Sequence, residues 1–343
     1  MIGRLVAALA VALGLAGSAV AKPLVVILAD ARGTVATDLL APYAILAESG
    51  AVEVLVAAPT GGPVRLLPGK AWVAPQITLD RLARERPDGP DVVIVPAMLV
   101  EDDPARAVWL KAQRKSGARI MSICNGALVL ADAGLLKNRQ ATVHWFSMGK
   151  VKKRHPDTVW RQDLRWVQDG PILTTAGISA GEPGTLELLR QLAGEGVMRE
   201  TAARLGLPLP DPRHDGRDYR LTARGMSTVV INRIAVWRHE EVAIPLTPGF
   251  DELAFGTTLD AWSRTYRSTA WATGAPAVRS RHGLTIHRAA ATPARFDRQV
   301  VLPGPDVMVR TFDAVGRAYG ETTARFVALQ FEHPYGAISA GRT

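Results

Sequence analysis

The sequence predicts an α/β protein: a doubly wound parallel sheet with helices on both faces, followed by a degenerate, partial second copy of the same domain. Three observations indicate this fold. Short apolar, β-branched runs alternate with helix-like segments over residues 24–205, and a lone cysteine stands where one run turns into a helix. Three short motifs of the first half then recur in the same order in the second half.

Four apolar runs have the length and composition of buried parallel strands, at residues 24–29, 52–57, 91–95 and 120–123. A hairpin is predicted around Pro68-Gly69, and further strands at residues 141–145, 163–169 and 172–175. Helix-like segments occupy the remainder, at residues 43–49, 77–84, 101–116, 127–131 and 185–205. Because ligands of such sheets bind at the carboxyl ends of the strands, the loops that follow the strands are expected to form the site.

Cys124 is the only cysteine, and the Asn125-Gly126 step after it indicates a turn between strand and helix. The first amides of a helix are unpaired and partly positive, so they stabilise a thiolate and an oxyanion formed by its attack on a substrate. This predicts a nucleophile elbow, for which Gly126 is suited because a tight turn needs a neighbour without a Cβ. The alternative is a buried, inert cysteine.

Two stretches of this region carry a family resemblance: Ser-Ile-Cys-Asn-Gly-Ala at residues 122–127 and Ala-Gly-Leu-Leu-Lys-Asn-Arg-Gln-Ala-Thr-Val-His-Trp at residues 133–145. Together they resemble the core of the ThiJ/PfpI superfamily, whose fold is flavodoxin-like and related to class I glutamine amidotransferases. The pattern is most similar to isonitrile hydratases and to the amidase-like domains of AraC-type regulators. The resemblance therefore implies the predicted fold and a small-molecule site at Cys124.

The resemblance also implies partners for the cysteine. Asp38 matches the acid of the family's Asp-x-x-Gly-Pro segment, with Ala41 in place of its glycine. Its carboxylate could accept a hydrogen bond from the thiol, orient water or pass a proton to substrate, whereas the alternative is a helix N-cap. His144 is placed near the site and could act as a base or stabilise the thiolate, and the alternative is a histidine hydrogen-bonded for structure.

The oxyanion is expected to be held by the backbone amides of Asn125 and Gly126. The family has a Gly-Gly pair after the third strand that contributes a further amide, and here Ala97 and Met98 replace it, so Ala97 is the corresponding candidate. Isonitrile hydratases carry threonine after the cysteine, where this chain has Asn125. These departures bear on the substrate.

The second half is interpreted from its repeats. Residues 242–254 repeat the first strand and its loop, residues 278–283 repeat residues 64–69, and residues 300–304 repeat the third strand. The acidic position holds Ala254, and no cysteine corner follows before a helix-like segment at residues 312–331. This predicts a ThiJ/PfpI-like α/β domain at residues 22–207, a linker at 208–235 and a partial second copy at 236–343. The partial copy is interpreted as a structural or ligand-covering half-domain, packed on the first domain or on a second protomer.

Residues 1–21 have a basic start, a short apolar core and small residues at the end, which predicts a secretory signal peptide and a periplasmic protein. The apolar core is too short for a transmembrane anchor. A single cysteine cannot form an intrachain disulfide. The formal net charge of +9 and the pI of about 10.0 would suit nucleic acid, but export and the lack of a helix-turn-helix pattern argue against it.

Other chemistries lack their motifs, so no metal and no cofactor is expected, and the spaced pair His282 and His287 is expected at the surface. Two functions remain open. One is a cysteine-dependent enzyme that acts on a small C–N or carbonyl compound, either a hydrolase such as an amidase or a hydratase, which is a hydro-lyase. The other is a non-enzymatic module that binds a ligand or senses redox state through Cys124. The partner is a small molecule in either case, and a homodimer is what the resemblance implies.

Overall fold

The computed structural model describes residues 21–336, so the predicted signal peptide lies outside it except for Ala21. The strands, in chain order, are β1 Leu24–Leu28, β2 Thr34–Val35, β3 Glu53–Ala58, β4 Val64–Leu67, β5 Ala71–Val73, β6 Ile77–Thr78, β7 Val92–Val95, β8 Arg119–Ser122, β9 Gln140–Ala141, β10 Val159–Trp160, β11 Trp166–Asp169, β12 Ile172–Thr175, β13 Glu240–Leu246, β14 Ser268–Gly274, β15 Ala277–Arg279, β16 Thr285–Arg288 and β17 Arg298–Gln299. The α-helices are α1 Ala36–Ser49, α2 Leu79–Glu85, α3 Pro104–Lys115, α4 Gly126–Asp132, α5 Met148–Arg154, α6 Gly181–Ala193, α7 Glu195–Leu205, α8 Ala223–Ile234, α9 Glu252–Ser263, α10 Val307–Tyr319 and α11 Glu321–Phe331.

The main sheet has the strand order β11-β12-β8-β7-β1-β3-β6, and every neighbouring pair except β11 with β12 is parallel. Alternate side chains of its strands enter two cores. Val25 and Ile27 of β1 pack in the core that contains α1 and α6, whereas Val93 and Val95 of β7 pack with α3 and α4. Helices therefore cover both faces of a parallel sheet, and the predicted fold class is confirmed.

Two predicted helices are wrong in length because a glycine interrupts each of them. The segment at residues 185–205 forms α6 and α7, which meet at Gly194, and the segment at residues 312–331 belongs to α10 and α11, which meet at Gly320. Both glycines have a φ of 89°, in the left-handed region that ends a helix. The apolar residues keep a helical spacing on both sides of each glycine, so the periodicity of the sequence did not indicate the breaks.

The second half has the same order of elements as the start of the first. Strand β13 lies between β14 and β17, all parallel, as β1 lies between β3 and β7. Helix α9 follows β13 as α1 follows β1, and Ala254 is the third residue of α9 as Asp38 is the third of α1. The hairpin of β15 and β16 corresponds to that of β4 and β5.

The second half packs on the first half of the same chain. Helix α1 lies against α9, so closely that a Cβ on Gly256 would come 3.0 Å from Cβ of Leu40. Strand β16 pairs antiparallel with β5, which joins the two hairpins in the sheet β15-β16-β5-β4-β2. Of the two packing arrangements that the sequence left open, the structure has the one within a single chain.

His282 belongs to this junction and is not at the surface, which corrects the sequence prediction. Its Nδ1 lies 2.9 Å from Glu252 of α9 and its Nε2 lies 3.0 Å from Glu48 of α1. His287, in β16, pairs with Trp72 of β5. The five-residue spacing of the two histidines indicated neither contact, because both depend on how the halves pack.

The segment predicted as a linker, residues 208–235, contains α8 and is not irregular throughout. Three apolar residues of this helix, Val230, Ile231 and Ile234, are between 45% and 64% exposed.

Within residues 21–336, no helix combines the length and the apolar character that crossing a membrane requires.

Candidate functional site

Cys124 lies at the predicted corner, two residues after β8 ends at Ser122 and two residues before α4 begins at Gly126. Its φ of 55° is in the left-handed region, which costs a non-glycine residue about 1–3 kcal/mol and has to be maintained by its surroundings. Two hydrogen bonds hold the turn: the Ile123 N–H donates to the Val95 oxygen at 3.0 Å, and the Gly126 N–H donates to the Ile123 oxygen at 2.8 Å. The corner is thus fixed by β7 as well as by its own backbone.

Gly126 is required by packing. A Cβ at this position would lie 2.0 Å from the carbonyl oxygen of Val95, so only glycine lets α4 begin against the end of β7. Its amide is committed to Ile123. The prediction that Gly126 would hold the oxyanion is therefore wrong, because that donor is used inside the turn.

A cavity of about 550 Å³ lies beside the cysteine. Four of the predicted site residues line it together: Ala97, Cys124, Asn125 and His144. The remaining wall is mostly apolar and comes from both halves of the chain, with Phe146 from the first and Phe326 from the second among the aromatic contributors. The second half therefore completes the cavity.

Asp38 lies behind this wall, fully buried in the first turn of α1. The N-cap of α1 is Val35, so the N-cap alternative for Asp38 is wrong. Its Oδ2 accepts the Ala97 N–H at 3.1 Å, and its Oδ1 has no hydrogen-bond partner among the described residues. Burial, and then the negative charge of Asp260, raise the pKa of Asp38 well above the usual value, so the carboxyl keeps its proton to higher pH than an exposed aspartate.

The amide of Ala97 is consequently engaged by Asp38, and it is not available as the oxyanion donor predicted from the sequence. The hydrogen bond to Asp38 determines the role of the Ala97 amide. By binding one carboxyl oxygen, the Ala97 N–H orients Asp38 and leaves the other oxygen for chemistry.

His144 also has both polar atoms occupied. Its Nδ1 accepts the Phe146 N–H at 3.2 Å, so the proton is on Nε2, which donates to the Gln330 oxygen at 2.9 Å. Burial lowers the pKa of His144, which favours this neutral form. Neither ring nitrogen is free to act as the predicted base. His144 is instead the alternative that the sequence offered, a histidine hydrogen-bonded for structure.

Burial, and then the charge of Asp38, raise the pKa of Cys124 well above the usual value, while Arg264 and the Asn125 amide oppose the shift. The predicted resting thiolate is therefore wrong, because desolvation outweighs the helix amides and the sulfur holds a neutral thiol. Of the predicted backbone donors, the Asn125 N–H is the one directed at the sulfur.

Three charged residues in or next to this site came from no sequence motif. Asp260 of α9 is fully buried and forms an ion pair with Nε of Arg264, whose side chain lines the cavity. Arg233 of α8 lines it as well, with its guanidinium 5.5 Å from the ring centre of Tyr266. The repeat located this half of the chain, but it did not indicate which side chains face Cys124.

The resting thiol leads to a testable prediction. At pH 7, iodoacetamide is expected to alkylate Cys124 at least tenfold more slowly than it alkylates free cysteine, because the thiolate is the reacting form and the pKa is raised. Asp38→Asn is expected to increase the rate only at pH values at which the wild-type Asp38 carboxyl has lost its proton, because its negative charge is the second cause of the shift. Mass spectrometry of the single cysteine over a pH series measures both. Alkylation of the folded wild type as fast as free cysteine would contradict the assignment.

These features define an α/β domain with a cysteine at a strand-to-helix corner. Residues 23–191 match the DJ-1/PfpI family, and the chain belongs to that family. The resemblance seen in the sequence is thereby confirmed.

Three curated relatives illustrate the similarity. The isonitrile hydratase of Pseudomonas putida is 30% identical over 170 residues, which cover 46% of this chain and 67% of that protein. The HTH-type transcriptional regulator CdhR of Pseudomonas aeruginosa is 30% identical over 145 residues, 42% of this chain and 43% of the regulator. GlxA of Rhizobium meliloti, another HTH-type regulator, is 41% identical over 76 residues, 22% of this chain and 23% of GlxA. The match thus spans less than half of either regulator.

Solved structures are similar at lower identity. DJ-1beta of Drosophila melanogaster is 21% identical, with a TM-score of 0.49 over 55% of this chain and 99% of that one. A THiJ/PfpI family protein from Pseudomonas syringae is 24% identical, with a TM-score of 0.48 over 56% of this chain and 77% of that one.

Proposed function

We propose that this chain is a cysteine-dependent hydratase or hydrolase for a small compound with an electrophilic carbon in a C–N or carbonyl group. The observation that carries the proposal is the position of Cys124, in its left-handed corner beside the cavity, within reach of the charge of Asp38, a buried acid whose Oδ1 is unpartnered among the described residues. The similarity to an isonitrile hydratase supports the reaction class. The same proposal includes a periplasmic location, which the predicted signal peptide supports.

The thiol of Cys124 and the carboxyl of Asp38, both protonated, are suited to an addition reaction. Sγ of Cys124 forms a bond to the electrophilic carbon, Asp38 gives its proton to the substrate, and the thiol proton passes to the Asp38 carboxylate. For an isonitrile, the net result is addition of S–H at the isonitrile carbon, which takes both the sulfur and the proton and becomes the carbon of a thioimidate, with Asp38 unchanged. Water then adds to the same carbon, and the C–S bond breaks as the sulfur takes a proton back. An isonitrile would leave as a formamide.

Charge that develops on the substrate during the addition needs a nearby donor or cation. The Asn125 N–H and Arg264 are the groups suited to this, since both already favour the ionised form of Cys124. Of the two amides that the sequence predicted, the Asn125 amide remains for this role, and a guanidinium from the second half supplements it.

In the experiment, the protein comprising residues 22–343 is incubated with an isonitrile, a primary amide or methylglyoxal, and the products are detected by NMR. The wild-type protein is expected to convert one of these compound classes, and Cys124→Ser is expected to convert none of them. Asp38→Asn is expected to be about 100-fold slower or more, as general acids contribute, although Asn can still accept the Ala97 N–H. Circular dichroism checks that each variant is folded. Conversion that persists in Cys124→Ser would refute the proposal.

The second candidate is a non-enzymatic module that binds a ligand or senses redox state. It is favoured by the internal commitment of the Ala97 and Gly126 amides, and by the two similar regulators. Saturable binding of a compound that the folded wild type leaves unchanged would support it.

A further inference from the structure

We propose that the substrate is an organic carboxylate with an apolar body, and that Arg264 of the second half binds its carboxylate. The inference rests on the proposed function and names the substrate class for that site. It starts from the charges around the cavity. Two arginines, Arg233 and Arg264, are among the residues that line it, and no aspartate or glutamate is among those described there. A cavity with cationic groups on an otherwise apolar wall selects an anion with an apolar body.

Arg264 is held in place for this task. Its Nε bonds to the fully buried Asp260, and its guanidinium carbon lies 6.0 Å from the ring centre of Phe331. A guanidinium has five N–H donors in one plane, and the bond to Asp260 uses the one on Nε. The Nη donors are suited to a bidentate contact with a carboxylate, and little side-chain entropy remains to be lost.

The position of Arg264 relative to the sulfur fits a substrate that joins both groups. Its positive charge acts on Cys124 and on Asp38, so the carboxylate would sit close to the reacting carbon. Arg233, in α8 before the second half, is more exposed, and its guanidinium contacts Tyr266 of the second half. It adds positive potential along the same wall, but among the residues that the structure describes no buried acid holds it in place.

The apolar body has a matching surface. Met98 and Leu99 follow β7 on one side, while Tyr266 and Phe326 come from the second half on the other. Such side chains gain stabilisation from any apolar group and carry little specificity, so the arginine supplies the orientation.

The test uses Cys124→Ser, which binds without turnover, and calorimetry with two matched pairs: phenylacetate against phenylacetamide, and hexanoate against hexanamide. Each carboxylate is expected to bind about tenfold or more tightly than its amide, as a charge-assisted contact implies. Equal affinities within both pairs, or no binding of either acid, would overturn the proposal.

Three second substitutions in that background identify the group responsible. Arg264→Gln is expected to abolish the preference for the acid, whereas Arg264→Lys, which keeps the charge beside Asp260, is expected to retain part of it and guards against a loss that comes from misfolding. Arg199→Gln, on the exposed side of α7, is the control that leaves the preference unchanged. A preference that survives in Arg264→Gln overturns the assignment. Selective binding with no turnover in wild type would instead refute the proposed function alone.

Discussion

Replacing Gly126 by alanine is expected to lower the free energy of unfolding by about 3 kcal/mol or more, at the upper end of what overpacking costs. The added Cβ would lie 2.0 Å from the Val95 oxygen, and also 3.1 Å from the Pro96 oxygen. Both are backbone atoms at the end of β7, a central strand paired with β1 and β8, so neither can rotate away as a side chain would. The corner that carries Cys124 must then shift.

Gly149→Ala is the matched control. Gly149 is an exposed residue inside α5, and a Cβ there would meet nothing within 4 Å. Alanine is expected to be neutral or to stabilise by up to about 1 kcal/mol, because it is the better helix former. Urea unfolding followed by circular dichroism compares the two variants. A Gly126→Ala protein as stable as wild type would show that the contact with Val95 does not fix this glycine.

The position of Cys124 could be predicted because its signals are local. An apolar run, an Asn-Gly step and a helix-forming segment follow one another within a few residues, and they determine a strand, a turn and a helix without help from the rest of the chain. Asp38 was instead identified through the family's Asp-x-x-Gly-Pro segment, and its local interpretation as a helix N-cap was wrong.

The chemistry of the site could not be predicted in the same way, because it depends on which partner each polar atom finds. The acceptor of the Gly126 amide is Ile123, that of the Ala97 amide is Asp38, and His144 binds Gln330, a residue far along the chain. Buried backbone groups nearly always find a partner, but the sequence does not say which one. The amides of Gly126 and Ala97 and the imidazole of His144 were therefore assigned roles that hydrogen bonds within the fold exclude.

The protonation state of Cys124 depends on the same tertiary information. The sequence indicated helix amides beside the sulfur, which lower a thiol pKa, and this influence is present at Asn125. Burial beneath the second half acts in the opposite direction and is larger. Arg264 and Asp260 reach the site for the same reason, because α9 packs on α1.

Glu182 is the buried acid for which a large effect of pH is expected. It lies in the first turn of α6, is 8% exposed, and its Oε1 has no hydrogen-bond partner among the described residues. Burial raises the pKa of Glu182 from 4.5 to about 7. Between these pH values the folded protein keeps a proton that the unfolded chain releases, so this group's contribution to stability is lost as the pH rises through the window.

Glu182→Gln is therefore expected to match wild type at pH 4 and to exceed its free energy of unfolding at pH 8 by roughly 3 kcal/mol, since each pKa unit corresponds to about 1.4 kcal/mol. Urea unfolding at several pH values measures the difference, which removes the effects of all other titrating groups. Glu195→Gln is the control, because Glu195 is a half-exposed carboxylate whose ion pair with Arg199 contributes less than about 1 kcal/mol. A constant difference between Glu182→Gln and wild type from pH 4 to 8 would mean that Glu182 finds a partner or solvent in the folded state.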